Sequence, residues 1–452
     1  MKKEITMTEG NIVKQILGFF FPILIGVFFQ QLYNTVDAAI VGQFAGKKAL
    51  AGVGGSSGQI LNFLFSFFMG LSSGATVIIA QHYGAREEKK VDVALHTAYT
   101  FGIIGGLFLG VAGVLTAKPF LMLLKTPKGL MADSTTYCRI LLGGIVFALI
   151  YNMSTGILRA AGDSRRPLYI LIACCAVNSV LDVVFVAVLK MGVFGAAVAT
   201  VVSQAFSAFL VTWLLMKHTV GMKLDFRKLG IDGKTMGRII HIGLPAAIGG
   251  SMFAVANMLV QSTVNAMGIN TVAAWTAYGK VDAFWWMINQ AYATAITTFV
   301  GQNFGAGRYD RIRRGVRTVL IMEMATGAVL SFLFINFGRI PLGLFTKDTK
   351  VVDIGISIAR LLTPFYAVFA VSEIMGATLR AENRVMVSTI ANLIGICVFR
   401  IIWVKLIYPD GKFLQIMACY PISWCLITLF TGGYYVLMQR KILRSQAAQP
   451  TT

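Results

Sequence analysis

Asp37 stands alone in a long apolar run: no other charge occurs from Gln15 to Val36, and none follows until Lys47. A carboxylate inside a membrane costs at least ~2.5 kcal/mol unless it faces protein or water. Gln30, Tyr33, Asn34 and Asp37 are spaced by three and four, which on a helix makes one polar stripe. A second carboxylate, Asp182, shares a helix face with Asn178 four residues earlier, and Thr200 shares one with Gln204. Two carboxylates, an amide and a hydroxyl suit a hard cation such as Na⁺, or a shared proton. The plainer alternative, a polar contact between helices, needs only an amide or a hydroxyl and not a charge.

The second half of the chain carries its own isolated acids, Asp282, Glu323 and Glu373. Asp282, Glu373, Asn152 and Gln290 are candidates to line a substrate cleft. Glu373 is a candidate to meet a cationic ligand, or else a buried partner for Arg400 or Lys280. Gln290 lies among Trp285, Trp286, Asn289 and Tyr292, a set suited to a cleft wall and equally to an aromatic belt. Hydrolytic and metal chemistry find no support. There is no H-E-x-x-H, no Asp-rich prenyl-diphosphate motif, no Ser/His dyad at helical spacing and no C-x-x-C, and the four His are scattered. The expectation is no enzyme, no cofactor, and no metal beyond Na⁺ at Asp37, Asn178, Asp182 and Thr200.

The elements that must position these residues are membrane helices. Of 452 residues, 56% are hydrophobic and 13% charged, with a mean hydropathy of +0.73. Several charge-free runs, Ala49–Ala85 and Phe413–Gln439 among them, exceed the ~20 residues that cross a bilayer. We place twelve helices at 12–42, 49–81, 92–116, 133–160, 167–189, 192–217, 236–266, 271–301, 311–338, 351–381, 385–408 and 412–439. The net charge of +21 would suggest nucleic acid in a soluble protein. Here Lys and Arg crowd the alternate loops that include both termini, so the positive-inside rule explains it and puts both termini in the cytoplasm.

The halves can be laid on each other. "AQHYGAREEKK" resembles "GQNFGAGRYDR" and "ILRAAGDSRRP" resembles "TLRAENRVMVS", both at an offset of 221, while "FFPILIG" resembles "GLPAAIG" at 223. Same order and nearly one offset indicate a duplicated six-helix unit inserted twice in one orientation. Residues 1–218 form an N-lobe, 219–235 a cytoplasmic linker, 236–440 a C-lobe and 441–452 a tail. In the second copy Val260 stands opposite Asp37, so the acids of the first copy are not repeated.

At "VDAAIVGQFAGKKALAGVG", "QHYGAREEKK", "LRAAGDSRRPLY", "NSVLDVVF" and "GVFGAAVAT" the whole chain resembles the multidrug and toxic compound extrusion (MATE) family, in particular its DinF-like branch. The resemblance implies two six-helix lobes and a secondary antiporter that expels small organic, often cationic, compounds against inward H⁺ or Na⁺ by alternating access. It implies a cation site at Asp37, Asn178, Asp182 and Thr200, with Tyr33 near it and Pro22 where the first helix bends. The implied setting is a monomer spanning the plasma membrane, with no nucleic-acid partner. A lipid-linked saccharide or lipid flippase of the wider superfamily is the alternative. It would need a cationic cleft, whereas Arg and Lys here fall in loops, Arg400 and Lys280 excepted.

Overall fold

The computed structural model describes residues 7–217, 222–408 and 411–447. Lys2, Lys3 and the end of the expected C-terminal tail lie outside that range. Apolar chain has no water to satisfy its backbone, so it must close its hydrogen bonds within each segment, and the described residues are accordingly helical throughout. In chain order the helices are α1 (Ile12–Ile40), α2 (Gly46–Gly54), α3 (Ser56–Gly84), α4 (Glu88–Leu123), α5 (Met131–Gly143), α6 (Ile145–Ala160), α7 (Arg165–Asp182), α8 (Gly192–Met216), α9 (Gly233–Asn265), α10 (Ile269–Gly305), α11 (Tyr309–Phe337), α12 (Arg339–Gly343), α13 (Thr349–Leu362), α14 (Tyr366–Ala381), α15 (Val385–Asn392), α16 (Phe399–Ile402), α17 (Phe413–Met417) and α18 (Cys419–Ala447). π-helical turns follow α1 (Val41–Ala45) and α7 (Val183–Val188), and two more enclose α16 (Leu393–Val398 and Trp403–Ile407).

Among the described residues, ten continuous segments are long and apolar enough to cross a membrane, and the bent pair α5–α6 makes an eleventh. With the 37-residue α10, more polar because it carries Lys280, Asp282, Asn289 and Gln290, these are the twelve expected from sequence. The fourth is not one straight helix over 133–160. It bends by 47° between α5 and α6 at Gly144, where a Cβ would lie 2.6 Å from the Val201 side chain.

The chain forms two compact units. One comprises the described part of Met1–Gly10 with Leu17–Ala247 and Gly301–Arg308, the other Asn11–Ile16, Ile248–Val300 and Tyr309 onward. The first unit has a mostly aliphatic core, with Leu61, Leu141, Ile145, Leu149 and Val193 at its centre. Small residues let its helices touch backbone to backbone. Gly70 and Gly74 of α3 lie against Ala247 and Gly243 of α9, each so close that a Cβ would fall within 2.4 Å of backbone. The second unit is built on aromatics, with Trp285 stacked on Tyr366 at 4.6 Å and 7° and Phe369 and Trp424 beside them.

Repeat-related glycines make the tightest approach in the first unit. A Cβ on Gly84 would lie 1.9 Å from the Gln302 carbonyl oxygen, and one on Gly305 would lie 1.8 Å from that of Gln81. The N-terminal segment straps this crossing. The Met7 amide donates to Gln302 Oε1 at 2.9 Å, Asn303 Nδ2 donates to the Met7 carbonyl at 3.1 Å, and Arg308 donates to the Thr8 carbonyl at 2.8 Å. On the other strand of the crossing, Arg238 reaches His82 Nε2 at 3.0 Å. The linker is packed down too: the Asp225 amide donates to His96 Nε2 at 3.0 Å and the Asp232 amide to Thr97 Oγ1 at 3.2 Å.

Two outcomes follow from this packing. Gly305→Val places carbons inside backbone that cannot yield and is expected to cost about 3 kcal/mol or more, read as a drop in thermal midpoint in detergent; an unchanged midpoint would refute the crossing. The second concerns Glu382, on the turn between α14 and α15. It is buried, no donor meets either carboxylate oxygen, and burial pushes its carboxyl up to about 7 against the opposing pull of Arg384. The folded state therefore holds this proton more tightly than the unfolded chain. The contribution is complete below the ordinary value of 4.5 and is lost as pH rises through about 7. Thermal midpoints across pH 5–8 should fall with pH in the native protein and fall less in Glu382→Gln; equal slopes would contradict the assignment.

Candidate functional site

Asp37 lies in the last turn of α1 and Asp182 is the last residue of α7, so each precedes a π-helical turn. A π turn widens the helix by one residue, re-aims the side chains beside it and is frequent at functional sites. Both carboxylates are buried, Asp182 completely and Asp37 to 9% exposure, and they lie within hydrogen-bonding reach of each other. Among the described residues no donor meets Asp37 Oδ1 or either oxygen of Asp182. Two ionised carboxylates are both acceptors and repel, so the pair is complete only with a proton or a cation between them.

The surroundings complete a polar nest in the first unit. Asn178, one turn before Asp182, is 1% exposed, with its side-chain Nδ2 unpartnered. Thr200 Oγ1 on α8 donates to the Ala196 carbonyl at 3.0 Å and lies within hydrogen-bonding reach of Tyr33. Sequence reasoning did not single out Tyr137. It is buried on α5 and lies near Asp37, Tyr33 and Asp182, and no local pattern signals it. The structure thus brings Asp37, Tyr33, Asn178, Asp182 and Thr200 together. It does not bring in Gln30 and Asn34, which remain exposed; Asn34, three residues before Asp37, is turned about 60° away from it. Pro22 lies inside α1, where it removes one backbone hydrogen bond.

The second unit treats its acids differently. Asp282 accepts from Trp286 Nε1 at 2.7 Å, from Tyr278 at 3.3 Å and from Tyr366. Glu323, fully buried, accepts from Asn289 Nδ2 at 2.8 Å. Glu373 pairs with Arg380 at 3.8 Å, not with Arg400 or Lys280 as the sequence allowed, and Lys280 is exposed. Asn152 turns back on its own helix, donating to the Ala148 carbonyl at 2.8 Å, and Gln290 is exposed.

Twelve spanning segments define a polytopic membrane protein, with a buried acid pair inside its first unit. The chain belongs to the MatE family, whose profile matches residues 22–184 and again 245–404, the two copies of the duplication. It is similar to the probable multidrug resistance protein YoeA of Bacillus subtilis (strain 168), 28% identical over 94% of this chain and 93% of that one. It is also similar to an FAD transporter of Shewanella oneidensis, 24% identical over 87% of each. Its fold matches a solved MATE structure in the bent conformation, with a TM-score of 0.91 at 21% identity over 99% of this chain and 100% of that one.

An acid pair without donors lowers stability, and a donor placed there should raise it. At pH 8, Asp182→Asn gives Asp37 a hydrogen bond and is expected to stabilise the protein by about 1 kcal/mol. A fall in thermal midpoint in that variant would count against the pairing.

Proposed function

We propose that this protein is an antiporter that exports small organic compounds, commonly cationic ones, across the plasma membrane in exchange for inward H⁺ or Na⁺, with both termini cytoplasmic. The observation that supports it most is the adjoining pair of Asp37 and Asp182, in which Asp37 Oδ1 and both oxygens of Asp182 meet no hydrogen-bond donor. Such a pair has strongly different affinities for a cation depending on how far apart its two helices hold it. A ligand shifts a conformational equilibrium only through such a difference.

In this reading the ion draws the end of α1 and the end of α7 together. Without it, repulsion between the carboxylates favours separation, and the adjoining π turns together with Pro22 let α1 deform. Tyr33 and Tyr137 shield the pair from lipid, while Asn178 and Thr200 offer the oxygens that replace an ion's water. The multidrug names of the relatives support export of varied compounds. The FAD transporter among them makes an anionic dinucleotide the informative control.

The test is efflux from proteoliposomes under separately imposed H⁺ and Na⁺ gradients, with organic cations and FAD as cargo. One of the two gradients is expected to drive cation efflux, and Asp37→Asn to reduce it at least tenfold with the fold intact. Full gradient-driven efflux by Asp37→Asn would overturn the proposal.

A further inference from the structure

Arg400 is fully buried in the second unit on α16, between two π-helical turns. Its guanidinium has only neutral partners. Nη1 donates to Asn257 Oδ1 at 3.0 Å, while Nε and Nη2 donate to Ser423 Oγ at 3.2 and 3.1 Å. The charge lies 4.1 Å from the centre of the Tyr420 ring and 5.8 Å from that of Phe253. Among the described residues no carboxylate comes within ion-pair distance. A desolvated charge held by amide and hydroxyl oxygens and by a ring face is coordinated as a bound cation would be.

The duplication shows which place this is. The two matched segments are offset by 223 at their start and by 220 at their end. At 223, Asn257 corresponds to Asn34 and Val260 to Asp37. Arg400 lies in the repeat of the segment that carries Asn178 and Asp182, and Tyr420 and Ser423 lie on the next long helix, α18, as Thr200 and Ser203 lie on α8 in the first copy. The helices that build the acid pair's nest in the first unit therefore build the guanidinium's nest in the second, and both nests adjoin π turns. Where the first copy has two acids and no built-in cation, the second has no acid and a cation on a side chain.

We propose that the Arg400 guanidinium permanently fills the second unit's copy of the cation site. Ion exchange is thereby confined to the first unit, and the second keeps the packing of an ion-loaded state through every cycle. That consequence rests on the antiport reading, whereas the filling of the site does not.

The test is thermal unfolding of the purified protein in detergent, which needs no transport. Arg400→Ala is expected to lower the midpoint by about 5 °C or more. Millimolar methylguanidinium should restore at least half of that loss, and methylurea, a neutral near-isostere, should not. No restoration, or equal restoration by methylurea, overturns the proposal. If Arg400→Ala does not fold, Arg400→Lys and Arg400→Met decide: Lys keeps a cation in place and should retain the higher midpoint, and a Met variant equal to or better than Lys overturns it. Rescue by methylguanidinium alongside intact coupling in Asp37→Asn would leave the filled site standing and remove the antiport reading; the reverse pair of results would do the opposite.

Discussion

A charge carried into an apolar bundle has to be compensated from inside the protein, because no water reaches it. That constraint organises this structure. Asp282 is met by three neutral donors, Glu323 by the Asn289 amide and Arg400 by oxygens and an aromatic face. The pair formed by Asp37 and Asp182 has three of its four oxygens without a donor, and two such acids side by side repel unless a proton or a cation lies between them.

The duplication provides the scaffold on which this asymmetry stands. Two copies share helix order, glycine crossings and π turns, yet they resolve the same electrostatic problem in opposite ways. The first unit, with an aliphatic core, holds two adjoining acids with three oxygens unmet. The second, with stacked aromatics at its centre, meets Asp282 and Arg400 with fixed groups. A packed interior of that kind changes shape reluctantly.

Much of this was legible in the sequence because the bilayer imposes a simple code. Helices with apolar runs, the two halves and the isolated acids stood out by length and by spacing. Asp37, Asn178, Asp182 and Thr200 could be grouped because carboxylates are rare where they are costly. The bend at Gly144 did leave a local mark, the Gly143–Gly144 pair, although its apolar surroundings read as one continuous span. Gln30 and Asn34 were grouped with Asp37 by spacing alone, which does not say which side chains the rest of the chain covers; both are exposed. The partner of Glu373 was misjudged for a related reason: Arg380, seven residues on, lies two turns along the same face, and a local pair was overlooked in favour of distant ones.

The most direct measurement of the account is ion release on cargo binding. The purified transporter, in weakly buffered detergent solution, is mixed with a transported organic cation while a pH dye and a Na⁺ electrode are read. The account expects about one H⁺ or one Na⁺ to leave per protein, and none from Asp37→Asn/Asp182→Asn. Cargo binding without release, or undiminished release from the double variant, would contradict it.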